Sequence, residues 1–167
     1  MHTMEASATI SDAKTGQLLF YSDAVDVWNR ENQPMPNSGD GDPTPGENRR
    51  YIALSQGALI VPAPGDSSIY NLFSLIESDS SLTGRRSPGV LTYSRINMQL
   101  DQGKGDVVVN DKNTFLADGL VGRLTAVPHN NGRNYWLITH QSGNKSDKSP
   151  QSQVIPSHLH LFGRQKN

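Results

Sequence analysis

Five histidines, a set of aspartates beside turns and a scatter of serines are the residues able to do chemistry in this chain. His158 and His160 sit two apart. On a strand that spacing puts both imidazoles on one face, the geometry of a two-histidine metal pair. No third ligand stands near them, so no metal site is expected there. Asp40-Gly41-Asp42 offers the clustered carboxylates that a hard cation such as calcium prefers. The twelve-residue loop with its closing glutamate is not completed, and Pro43 and Pro45 stiffen the segment, so a solvated turn is expected instead. Ser142, within His140-Gln141-Ser142-Gly143, does not make the Gly-x-Ser-x-Gly elbow of a hydrolase. Glycoside chemistry needs two acids facing one cleft. Asp12, Asp23, Asp26, Asp101 and Asp106 stand mostly beside turns, where Asp accepts hydrogen bonds from backbone N–H groups. His129 and His140 fall at a strand-end turn and a strand end, where hydrogen bonding to a neighbouring turn is the expected role. No catalytic, cofactor-binding or metal residue is assigned, and the chain reads as not an enzyme.

The elements that must position these residues follow from composition and patterning. The 167 residues suit one domain. A formal net charge of -1 argues against nucleic-acid binding through a basic field and against a polybasic membrane segment. With 0 cysteines there is no disulfide, no thiolate metal site and no cysteine nucleophile. No apolar run reaches the roughly 20 residues of a membrane helix. The start, Met1-His2-Thr3-Met4-Glu5, lacks the charged-then-apolar pattern of a signal peptide. Leu, Ile, Val and Phe make up about a fifth of the chain, enough to fold at this charge but a thin core.

Short β-branched and aromatic runs bounded by turn residues predict strands at 6–12, 17–22, 25–29, 58–62, 68–75, 90–98, 106–109, 123–128 and 134–140. No apolar period of three and four predicts a helix. One pattern recurs. Ala58-Leu59-Ile60-Val61-Pro62 turns and returns as Tyr70-Asn71-Leu72-Phe73-Ser74. Leu124-Thr125-Ala126-Val127-Pro128 turns and returns as Tyr135-Trp136-Leu137-Ile138-Thr139. The two Val-Pro steps lie 66 residues apart. Pro suits a strand end, where pairing stops and no ladder donor is needed. Four strands per repeat match a propeller blade, although common blades span roughly 40–50 residues. The alternative is two unrelated hairpins sharing a Val-Pro turn. Trp28, Tyr70, Tyr135 and Trp136 are expected in the blade core. Adjacent Tyr135 and Trp136 must face opposite sides of their strand, and a solvent-facing ring there would suit sugar stacking or a partner surface.

Four ordered blocks carry a family resemblance. The first runs from Ala6-Ser7-Ala8-Thr9-Ile10-Ser11-Asp12 through Gly16-Gln17-Leu18-Leu19-Phe20-Tyr21-Ser22 to Val27-Trp28-Asn29 and Met35-Pro36-Asn37. Ala58 to Gly65 with Ile69 to Phe73 follows, then Tyr93 to Val107, then Arg123 to His140. Together they resemble the N-terminal β-propeller-like region of large bacterial surface proteins. Many of those end in a gliding-motility-associated or type IX secretion sorting domain, and some carry PKD modules. The resemblance implies a secreted or cell-surface, non-catalytic scaffold with no particular substrate. The chain departs from it in three places. Asp40 to Tyr51 replaces a Gly/Ser/Thr-rich loop, the segment after Asn144 replaces further blades, and the export signal is missing. A truncated, frame-disrupted gene copy is therefore expected. The alternative is a small relative whose tail adds one strand, His158 to Phe162.

The resulting expectation is an all-β chain, a partial β-propeller of two to three antiparallel blades with a ~66-residue repeat. Residues 5–141 hold the blades, with repeat copies near 58–109 and 123–140. Residues 142–167 form a divergent tail, either one extra strand or disordered. The expected function is a scaffold or interaction module, a piece of a larger propeller, with a protein or glycan partner and self-association through open blade edges. Neither nucleic acid nor membrane insertion nor any cofactor is expected. A carbohydrate-binding or carbohydrate-active propeller that has lost blades is the alternative, and a non-functional remnant is a third.

Overall fold

The computed structural model describes residues 6–39, 51–78, 89–131 and 134–141. Their secondary structure is nine strands and two short 3-10 turns, Asp101–Gly103 and Val109–Asp111, with no α-helix among the described residues. The chain is all-β. Asp40, Asp42, Ser142, His158, His160 and the whole tail 142–167 lie outside the described residues.

The first sheet joins β1 (Ala8–Ser11), β2 (Leu18–Ser22) and β3 (Val27–Asn29), all antiparallel. Its turns are written in short polar side chains. The Asp12 carboxylate accepts the N–H groups of Lys14 and Thr15 at 3.0 and 2.7 Å. Asp23 does the same for Val25 and Asp26 at 3.1 and 2.8 Å. Asn29 accepts from Glu31 and Gln33 and folds the chain back along β3. There the N–H of Asn29 donates to Gln33, the N–H of Met35 donates to Val27, and Trp28 bridges Pro34. Residues 33–35 thus run back along β3 through a single isolated β-bridge.

The second sheet holds β4 (Tyr51–Pro62), β5 (Ile69–Ser78), β6 (Gly89–Asn97), β7 (Asp106–Val107), β8 (Thr114–Pro128) and β9 (Tyr135–Gln141). Its order is β4-β5-β6-β8-β9, and β7 shares the β8 edge of β6. Two long strands change partner or register partway. β4 shifts between Ala53 and Ala58, and β8 shifts between Val121 and Leu124. The N-terminal part of β8 pairs with β6 up to Leu120, and from Leu120 onward it pairs with β9. The sheet curls so that these irregularities meet. A Cβ on Gly122 of β8 would lie 2.9 Å from Leu54 Cβ and 3.1 Å from the Ser55 backbone in β4, so only glycine admits this approach.

Two apolar clusters form, one on each face of the β4–β5–β6 meander. Val61, Phe73, Leu75, Leu91 and Tyr93 point one way and pack with Leu120, Leu124 and Leu137 of β8 and β9. Tyr70, Leu72 and Ile96 point the other way and pack with Phe20, Val27 and Met35 of the first sheet. Side chains alternate across a strand, so Leu72 and Phe73 necessarily serve opposite clusters. A sheet buried on both faces reads as a near-continuous apolar run, and β5 has that character in Ile69-Tyr70-Asn71-Leu72-Phe73-Ser74-Leu75-Ile76. The molecule is therefore layered: the first sheet, the β4–β5–β6 meander with β7 and the start of β8, and the β8–β9 hairpin.

The Val-Pro repeat corresponds to two hairpins of the same register. Pro62 pairs with Tyr70 and Val61 with Asn71; Pro128 pairs with Tyr135 and Val127 with Trp136. Both hairpins lie in one continuous curled sheet, because β8 runs unbroken through Gly119 and Gly122, upstream of the strand expected to begin at Arg123.

Candidate functional site

The acidic residues that sequence reasoning weighed are dispersed, and the carboxylates of Asp12, Asp23 and Asp106 accept hydrogen bonds that hold turns and segments of the fold. Asp23 and Asp106 are only 2% and 6% exposed. The Asp106 carboxylate accepts the backbone N–H of Asn37 at 2.9 Å, its side-chain Nδ2 at 2.6 Å and the N–H of Val107 at 2.7 Å. It staples the Met35-Pro36-Asn37 segment of the first sheet to β7 of the second. Asp12 caps the exposed β1–β2 turn. Hydrogen bonds from the Thr15 backbone and hydroxyl, and then from the Lys14 N–H, hold its carboxyl below the usual 3.8. Asp66 is lowered in the same manner by the Ser68 hydroxyl and then its N–H. Asp101 enters the 3-10 turn at φ +45°. Among the described residues no group of three His, Cys, Asp or Glu side chains is placed to hold a metal. No described helix is long and apolar enough to cross a membrane.

The histidines sit apart. His129 opens the β8–β9 turn. Its Nδ1 accepts the N–H of Asn131 at 3.0 Å, and its backbone N–H donates to Asn134. An accepting Nδ1 fixes the neutral ring as its Nε2–H tautomer. The ring also leans on Trp136, with centroids 5.1 Å apart. His140 lies half-buried in β9 opposite Val121. A turn-holding role fits His129.

Of the four strand aromatics, Trp28 and Tyr70 are buried at 9% and 8% exposure. Burial, with a smaller contribution from the Asp12 charge, pushes the Tyr70 phenol above 10.0. Tyr135 packs against the β8–β9 side of the core, and Trp136 takes the opposite face. Phe20 and Tyr21 were not singled out from sequence. Phe20 is fully buried and meets Tyr70 edge-on at 5.5 Å. Tyr21 stacks on Trp28 at 5.4 Å with planes 14° apart, and its hydroxyl donates to Asn32. The cross-strand pair Tyr21–Trp28 becomes legible only once the β2–β3 register is drawn.

Two sheet faces remain at the ends of the layered stack. On the first sheet the outward row is Thr9, Tyr21, Trp28 and Pro34, with Thr9 and Pro34 exposed. On the β8–β9 hairpin the outward set is Thr125, Val127, Trp136, Ile138 and His140. Val127 is 41% exposed there, and Trp136, Ile138 and His140 are half-buried. Neither face gathers acid, base and nucleophile into one cleft. The hairpin face offers exposed apolar area at Val127, which suits recognition, whereas Trp28 at the centre of the first-sheet row is buried. No protein-family model, curated protein or solved structure matches this chain.

Proposed function

We propose that the chain is a run of propeller-type blades serving as a non-catalytic scaffold or interaction module of a secreted or cell-surface bacterial protein. One observation carries this: equivalent faces of the repeat point the same way. In the first copy Ile60, Tyr70 and Leu72 face the preceding sheet. In the second copy their register equivalents Ala126, Tyr135 and Leu137 face the preceding meander. Successive units that present the same face to their predecessor stack head to tail, as blades and other repeat units do. The strand count agrees. Residues 58–62, β5, β6, and β7 with the start of β8 make one four-stranded antiparallel unit. The first sheet supplies three antiparallel strands, with residues 33–35 bridged to β3 beside them. Chain passage from one unit to the next falls in β8 at Gly119 to Gly122.

The non-catalytic character rests on where Asp12, Asp23 and Asp106 go, into turn caps and the Asn37 staple. The surface location rests on the sequence resemblance. Incubation with a panel of chromogenic glycosides and esters tests the first, with no turnover expected. Turnover that is retained on repurification and lost in Asp26→Asn or His140→Ala overturns it. Labelling of intact producing cells with a membrane-impermeant biotin reagent tests the second. Strong labelling is expected, and labelling only after lysis overturns it. A glycan array with and without calcium examines the alternative: binding lost on Trp136→Ala would make the module a carbohydrate binder.

A further inference from the structure

The turn that joins β8 to β9 sets a base against a backbone amide. The His129 N–H donates to the Asn134 carbonyl at 2.8 Å and closes the hairpin. The His129 ring lies beside Trp136, with centroids 5.1 Å apart and planes tilted by 37°, so its orientation is held. Its Nδ1 carries no proton, because it accepts the Asn131 N–H at 3.0 Å. A general base must lie within about 2.6–3.2 Å of the atom whose proton it takes, and this one does. The residue before that amide is Asn130, whose side chain is exposed. After an asparagine, the next backbone nitrogen is the nucleophile that can close a succinimide on the side-chain amide carbon. Asn131 is placed differently. Its Oδ1 accepts the Asn134 N–H at 3.0 Å, so its carboxamide is tied into the turn although Gly132 follows it.

We infer that Asn130 is a self-modifying residue, converted through a succinimide to aspartate and isoaspartate with His129 as the base. His129 Nδ1 takes the proton of the Asn131 backbone nitrogen, and that nitrogen attacks Cγ of Asn130. The tetrahedral intermediate expels the side-chain nitrogen, which leaves as ammonia with the proton that the imidazolium returns. Water then opens the ring. Opening at Cγ restores the main chain with aspartate at this position. Opening at the backbone carbonyl reroutes the chain through the side chain as isoaspartate. In sum, one carboxamide and one water become one carboxylic acid and one ammonia, and the imidazole is regenerated. The product places a new negative charge on the hairpin tip, and the isoaspartyl form also lengthens the turn. The step acts once, on the chain's own residue, and is independent of the blade arrangement.

The test holds the folded chain in neutral buffer made with heavy-oxygen water, samples it over time and digests it with trypsin. The peptide from Leu124 to Arg133 carries both asparagines, and its fragment ions assign the change. Labelled acid is expected at Asn130, in aspartyl and isoaspartyl forms, appearing at least about tenfold faster in wild type than in His129→Gln. The glutamine can still accept a hydrogen bond but cannot take the proton. A turn-holding role alone therefore predicts equal or faster conversion in the variant, and that result would overturn the inference. Conversion at Asn131 in place of Asn130 would overturn it, as would aspartate without isoaspartate, which means direct hydrolysis with no ring. Unfolded in urea, wild type and variant should convert at a common rate below that of the folded wild type. This last comparison can be made on wild type alone, so it decides the matter if His129→Gln does not fold. Faster conversion in urea than in the folded chain would count against His129 as the base and overturn the inference.

Discussion

Removing the Asp106 carboxylate should cost far more than removing its charge alone. Asp106→Ala strands three donors, the Asn37 N–H, the Asn37 Nδ2 and the Val107 N–H, in a region where the carboxylate is only 6% exposed. A hydrogen bond to a charged group contributes about 1.5–3 kcal/mol, and an orphaned buried donor costs about 1–3 kcal/mol. Some of the freed donors regain water, so the net loss is about 3 kcal/mol. Asp106→Asn behaves differently. Its carbonyl keeps the two backbone donors, and its new NH2 group faces the Asn37 amide. Asn37 then turns its own carbonyl inward and accepts, which holds the loss to about 1 kcal/mol. The assay is urea unfolding of wild type, Asp106→Ala, Asp106→Asn, Asn37→Ala and the double alanine variant, followed by fluorescence. The slope should be common to all and the midpoints should separate. A coupling of about 1–2 kcal/mol is expected between Asp106 and Asn37. An Asp106→Ala loss under about 0.5 kcal/mol, or a coupling near zero, would refute the staple.

Three further outcomes are expected. Gly57→Ala should cost about 2–3 kcal/mol by denaturant unfolding, since its Cβ would lie 2.5 Å from the Leu75 carbonyl and 2.6 Å from that of Leu54. Thr139→Val should raise stability by about 1 kcal/mol in the same assay, because its Oγ1 is buried with no partner. The lowered Asp12 carboxyl contributes stability above its unfolded value and loses it as pH falls through the folded one. Unfolding midpoints measured downward from about pH 5 should therefore fall less steeply in Asp12→Asn than in wild type.

Much of the fold is legible in the residues. The alternation and turn chemistry of Leu18 to Ser22, Ile69 to Leu75 and Tyr135 to His140 locate strands that the structure contains. What the pattern hides is continuity. β4 begins at Tyr51, whereas the sequence pattern places a strand only at 58–62; the chain between is interrupted at Gln56-Gly57. The interruption is a bulge, with Gln56 at φ +56°. Thr114 to Val121 is missed too: Asp118-Gly119 interrupts the apolar alternation, and Gly119 at φ +71° lies within a continuous strand. The division of β5 between two cores is encoded only in period two, since Leu72 and Phe73 look alike in composition. Asp caps were readable from their turns. The Asp106 staple was not, because Asn37 lies 69 residues away and no local signal joins them.

The layered arrangement is tested most directly by nuclear Overhauser effects in one labelled sample. Contacts from the Phe20 ring to Tyr70, together with contacts from the Leu124 and Leu137 methyls to Phe73 and Leu75, are expected at once. Observing one set without the other would leave the meander covered on a single face and would contradict the layered arrangement.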